Sequence, residues 1–215
     1  MRRGIATAVG IAALAGCAGG PPPPDWQGNA KVASERSGVA YLNGNARVEA
    51  AELSRARAEV ARTGRVDLLA RVELAHCAAQ VASLVFAPCA GFEPLSADAG
   101  AAERAYADYL LARIAPADVA LLPEAQRSVA GGSIAALGGI ADPLARLVAA
   151  GVLFESNRAD PQVVAFAVDT ASQQGWRRPL LAWLGVQLKR AEQGGADAEA
   201  QRLRRRIALV ERGGS

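Results

Sequence analysis

The sequence predicts an all-α fold: about eight antiparallel helices in one domain, partly built as helical hairpins in a solenoid-like stack. Three observations predict it. From Asp25 onward, apolar residues recur at spacings of three and four, the signature of a helix face. No stretch alternates apolar and polar residues, and no β-branched cluster lies between turn residues, so strand content should be close to nil. Asp-Pro steps and glycines, among them Gly131-Gly132, Gly138-Gly139 and Gly194-Gly195, divide the periodic stretches into pieces of helix length.

The chain opens with a charged Met1-Arg2-Arg3, followed by 12 uncharged residues from Gly4 to Ala15. That stretch suits a secretory signal and is shorter than the ~20 apolar residues that span a bilayer. It closes on Leu14-Ala15-Gly16-Cys17, which resembles the lipobox of bacterial lipoproteins at every position. The resemblance implies cleavage after Gly16 and a diacylglycerol thioether on Cys17. It further implies a location on the periplasmic face of the outer membrane, because Ala18 stands where an inner-membrane retention Asp would be. Ala13-Leu14-Ala15 also reads as an ordinary signal-peptidase site, which would release a soluble periplasmic protein. The expected organisation is a signal peptide over 1–16, a lipidated Cys17 with a tether over 17–25, and one helical domain over 26–215. Within the tether, Pro21 to Pro24 should form a stiff polyproline spacer of about 12 Å.

The first helical pattern beyond the tether places Ala46, Ala50, Leu53, Arg57 and Val60 on one face, and Gly64 ends it. Next, Val66, Ala70, Leu74, Cys77, Val81 and Leu84 form a second stripe, so Cys77 should face the core. Pro88 disfavours helix at Ala87, which ends this helix by about Phe86. Asp142-Pro143 and Asp160-Pro161 each pair a capping carboxylate with a proline in the first turn. Leu180, Leu181, Trp183, Leu184, Val186 and Leu188 make the stretch from Pro179 to Arg190 apolar nearly all round, so it should be buried. After Gly194-Gly195 a last helix carries Ala196, Ala200, Leu203, Ile207 and Val210 on one face.

This C-terminal unit resembles a tetratricopeptide-type hairpin. Leu184-Gly185 sits like the Leu-Gly of the first helix, and Gly195, Ala200, Ile207 and Ala208 sit like second-helix positions. It departs from that pattern in a stretch between Gly185 and Ala200 that is three residues too long, and in its missing tyrosines.

Cysteine usage bears on compartment. With Cys17 assigned to lipid, Cys77 and Cys89 remain, and an even pair in an oxidising periplasm reads as a disulfide. Closing so short a loop stabilises by roughly 3 kcal/mol. Geometry constrains it. A helix running straight to Phe86 would end about 13.5 Å from Cys77, and three more residues reach back at most about 10 Å. The bridge therefore requires the helix to stop between Ser83 and Phe86 and the chain to double back. No metal or cofactor is expected: His76 is the single histidine and no C-x-x-C spacing exists.

Charge excludes one class of function. The net +3 and a pI of about 9.0 owe much to Arg2 and Arg3. Residues 176–215 carry nine basic and four acidic groups, and residues 17–175 carry 13 basic and 17 acidic. That dipole falls far short of the density a nucleic-acid binder shows, and none is expected as a partner. The Arg204-Arg205-Arg206 run reads as a solvated helix face, with contact to anionic lipid headgroups as the alternative.

Two stretches invite a chemical reading. Phe154-Glu155-Ser156 followed by Asp160-Pro161 resembles the catalytic Glu-Ser region of lytic transglycosylases, where a carboxylic acid protonates a glycosidic oxygen. The proline comes one residue late and the family's following segment is absent, so a helix end at Glu155 and a new cap at Asp160 account for the residues. Trp176-Arg177-Arg178 offers a stacking ring beside two donors. It is the candidate partner-binding element, although a Trp packed under a turn is the favoured explanation. The expected function is a non-catalytic scaffold or accessory factor, anchored to the membrane through Cys17 and partnering envelope proteins. The alternatives are a peptidoglycan-acting enzyme using Glu155 and a small-ligand carrier with an apolar pocket between helices.

Overall fold

The computed structural model describes residues 24–213. The lipobox and Cys17 lie outside the described residues, as does most of the proline tether. Among the described residues there are nine α-helices and three short 3-10 helices, and no strand. The α-helices are α1 (Asp25–Leu42), α2 (Ala46–Ala61), α3 (Val66–Ala82), α4 (Ala101–Leu110), α5 (Glu124–Ala130), α6 (Pro143–Glu155), α7 (Pro161–Gln174), α8 (Arg177–Gln193) and α9 (Asp197–Arg212). The 3-10 turns cover Glu93–Leu95, Pro116–Leu121 and Ile134–Gly139. The all-α expectation holds.

Helix α3 is the axis of the molecule. Val72 joins a small core with Ala30 and Ala33 of α1 and Leu53, Ala56 and Val60 of α2. Leu74, Cys77, Ala78 and Val81 belong to the main core, which α4, α6, α7 and α8 complete. The predicted single stripe is therefore too narrow: Val72, Glu73, Ala79 and Ala82 are buried as well. Its apolar neighbours lie on several sides, so alanines that read as filler become contact surface. In α2 the expected face is turned. Ala46 and Ala50 are exposed, and the buried residues are Leu53, Ala56 and Val60. Helix α8 is also less enclosed than expected. Pro179, Leu180, Trp183 and Leu184 are buried, while Leu181, Val186 and Leu188 are half-buried.

The predicted caps form. Asp142 Oδ1 accepts from the Ala145 N–H at 2.6 Å, and Asp160 Oδ1 accepts from the Val163 N–H at 2.8 Å, each ahead of a proline in the first turn. Helix α7 stops at Gly175, whose φ of 67° is the left-handed setting that glycine adopts freely. Three other helices stop the same way without glycine. Leu84, Ala112 and Asn157 take φ of 60°, 57° and 56° after α3, α4 and α6.

The ending of α3 makes the disulfide possible. The helix stops at Ala82, one residue before the expected range. Leu84 N–H donates to Val81 O at 2.9 Å and Val85 N–H to Gln80 O at 3.0 Å, the paired bonds of a reversing C-terminus. The chain turns back along the helix, and Cys77 and Cys89 are bridged with Cα atoms 5.9 Å apart.

Two close contacts fix the helices around α3. At Gly151 of α6, a Cβ would lie 2.5 Å from the Val81 carbonyl oxygen. Trp183 of α8 is fully buried and donates its indole N–H to Ala82 O at 3.1 Å. That bond answers a carbonyl in the last turn of α3, which has no partner within the helix.

Candidate functional site

An apolar recess lies between α3, α4, α6 and the Pro116–Leu121 turn, with a volume of about 530 Å³. That is within the range of ligand and partner pockets. Leu74, Ala75 and Ala78 project from one face of α3, at the spacing that puts them side by side. Leu144 and Val148 of α6 form the facing wall, and Leu121, 41% exposed, forms the lip.

A buried relay holds the walls apart. Tyr109 of α4 donates to Gln126 Oε1 of α5 at 2.6 Å, and Gln126 Nε2 donates to Ala145 O of α6 at 3.0 Å. Burial pushes the Tyr109 phenol well above its ordinary range, so it stays a donor at any physiological pH. Tyr106 stacks on Tyr109, their centroids 6.0 Å apart, and lines the recess. Burial, and then the Asp142 charge, raise the Tyr106 phenol strongly in the same direction.

The polar groups around the recess divide unevenly. Of its carboxylates, Glu103 accepts from Arg71 Nε at 2.7 Å, and Asp142 Oδ1 accepts one bond from the α6 backbone. Donors are left over. Arg127 gives Nε to Leu122 O at 2.8 Å, which leaves its terminal nitrogens free, and the Tyr106 hydroxyl has no protein partner among the described residues. The site therefore presents apolar walls and spare donors, and it suits an apolar group that brings an acceptor. Sequence reasoning named Asp142 only as a cap and missed Arg71, Glu103, Tyr106 and Arg127. These four come from three helices, and the one local signal is Glu103, Tyr106 and Tyr109 recurring every three residues along α4.

The residues singled out by sequence lie elsewhere and do not converge. Trp176 caps α8 and packs on the main core. The Arg178 guanidinium sits 4.0 Å over the Tyr41 ring, a cation–π contact within the fold. Arg177 alone borders open space, a polar hollow shared with Asn43, Asn45 and Gly175. Glu155 is exposed at the end of α6, beside Arg190, in a small recess of about 420 Å³. Ser156, next in sequence, donates to Val152 O at 2.8 Å, as a helix-end serine does.

A second polar cluster lies between α2 and α3. Arg57 grips the buried Glu73 carboxylate with two bonds of 2.5 and 2.7 Å. A side chain at Gly91 would overlap that carboxylate. His76, one turn on, meets the Tyr41 ring edge-on at 5.8 Å, with Glu49 at 3.8 Å and Gln80 at 3.2 Å. Burial lowers its pKa, outweighing the opposing pull of Glu49 and Glu73, and Arg57 and Arg178 add to the lowering. No group of three potential metal-ligating side chains occurs among the described residues. No described helix is long and apolar enough to cross a membrane.

Compared with known proteins, the chain matches no family model, no curated protein and no solved structure.

Proposed function

We propose that this chain is a non-catalytic accessory factor of the bacterial envelope. In this reading Cys17 carries lipid that holds the protein on the periplasmic face of the outer membrane, and the α3–α4–α6 recess grips an apolar segment of a partner protein. The observation that carries the reading is the recess itself: apolar walls open to the surface at Leu121, with spare donors on Arg127 and Tyr106. An open groove suits the side chains of a protein better than a free small molecule, which is usually enclosed more fully. The exposed position of Glu155 supports a non-catalytic role, because a glycosidase acid works best when burial keeps it protonated.

Affinity capture from cross-linked envelopes tests the reading, with the wild type set against Ala75→Trp. Ala75 is exposed and lines the recess, so the indole fills the groove without entering the core. A defined partner held by the wild type and lost from the variant is the expected result. Identical capture by both proteins, or a glycan-cleaving activity abolished by Glu155→Gln, would overturn it. The anchor is tested separately: an acyl-chain label should mark the wild type and leave Cys17→Ala unmarked.

A further inference from the structure

From the arrangement of α9 we infer that the outer face of this helix is a docking surface for an anionic phospholipid membrane. Helix α9 packs chiefly on α8. Ala200, Leu203, Ile207 and Val210 turn inward. At 3.6 residues per turn, the opposite arc gathers Arg202, Arg205, Leu209 and Arg212, with Arg206 at its border. These three arginines and Leu209 are exposed, and Leu209 is 64% exposed, more than any other large apolar side chain described. The carboxylates of α9 avoid the centre of this arc. Glu199 stands at its edge, paired with Arg202, and Asp197 and Glu211 lie off it. Arg206 is drawn aside to Ser172 of α7 at 3.3 Å, and Arg204, off the arc, is paired with Glu192 of α8. Arg205 and Arg212 form no ion pair among the described residues.

The composition of the arc selects the occupant. Arginines encircling one protruding leucine match a lipid interface, where guanidinium groups meet headgroup phosphates and the apolar side chain enters the acyl boundary. A nucleic acid or an acidic protein would need the charges without the leucine. The rest of the chain is net negative, so an anionic surface repels it and turns the basic C-terminal end inward. The inference is independent of the proposed partner recess and of the lipid on Cys17. Each arginine near an anionic surface raises partitioning about five-fold, so three raise it about a hundredfold.

Vesicle flotation tests this. The full chain bearing Cys17→Ala is compared with the same chain also carrying Arg202→Gln, Arg205→Gln and Arg212→Gln, and with one also carrying Leu209→Ser. Vesicles are phosphatidylglycerol–phosphatidylcholine mixtures or phosphatidylcholine alone, and circular dichroism verifies that each chain is folded. On the anionic vesicles the triple variant should partition about a hundredfold less, and Leu209→Ser several-fold less. On phosphatidylcholine alone the three chains should not differ. Equal partitioning of parent and triple variant on anionic vesicles would overturn the inference. So would a loss on soluble polyglutamate as large as that on vesicles, with Leu209→Ser without effect, because that would mark a general polyanion site.

Discussion

Replacing Gly151 with alanine sets two effects of opposite sign against each other. Gly151 lies inside α6, where alanine is worth up to about 1 kcal/mol over glycine in helix propensity. The added Cβ would stand 2.5 Å from the Val81 carbonyl oxygen and 3.0 Å from Val81 Cγ1. The nearer atom is backbone, so relief requires α3 and α6 to separate, and both helices carry the main core. Overpacking of this kind costs about 1–3 kcal/mol, sometimes more, so the clash wins. We expect Gly151→Ala to lose about 1–2 kcal/mol net, a fall in Tm of roughly 2–8 °C for a chain of this size. Gly185 is the control. It lies inside α8, a Cβ there meets nothing within 4 Å, and Gly185→Ala should gain about 0.5–1 kcal/mol. Urea unfolding followed by circular dichroism measures both. A Gly151→Ala protein as stable as the wild type, or a Gly185→Ala protein that loses as much, would refute the packing of α6 on α3.

Other perturbations have definite expected outcomes. Arg57→Ala strands the buried Glu73 carboxylate and should cost about 1–3 kcal/mol in urea unfolding; no change would show that Glu73 is solvated. Reducing the Cys77–Cys89 bridge should cost roughly 3 kcal/mol, and mass spectrometry before reduction should show no free thiol at either position. His76 gives a pH dependence of definite sign. Burial holds its folded pKa below the unfolded value of about 6.5, so above that pH it is neutral in both states and costs nothing. As pH falls below 6.5 the unfolded chain takes up the proton first and stability drops. Unfolding between pH 7.5 and 5 should show that slope in the wild type and a flatter one in His76→Gln; parallel slopes would contradict it.

Much of the fold was legible because local chemistry announces it. Asp142-Pro143 and Asp160-Pro161 state both the cap and the first turn, and both caps form. The cysteine pair was legible by count, and the required reversal after α3 by distance. How the chain reverses was hidden, because Leu84 takes a left-handed setting that sequence reading assigns to glycine. Ala112 and Asn157 conceal the ends of α4 and α6 in the same way. The turned face of α2 and the all-round burial of α3 depend on where neighbours pack, and periodicity does not record that. The recess was the least legible feature. Arg71, Tyr106, Arg127 and Val148 meet from four helices separated in the chain by irregular turns, and no local motif links them. Trp176 and Arg178 looked available in sequence because their partners, the core and the Tyr41 ring, are remote along the chain.

Site-specific photo-cross-linking in intact envelopes tests whether the α3–α4–α6 recess engages a partner. A photoreactive residue at Leu121, on the lip of the recess, is compared with one at Val39, an exposed valine on α1 outside it. A discrete adduct is expected from Leu121 that disappears when Ala75→Trp fills the groove, and no such adduct from Val39. Equal labelling from both positions, or a Leu121 adduct that persists in the filled variant, would contradict it.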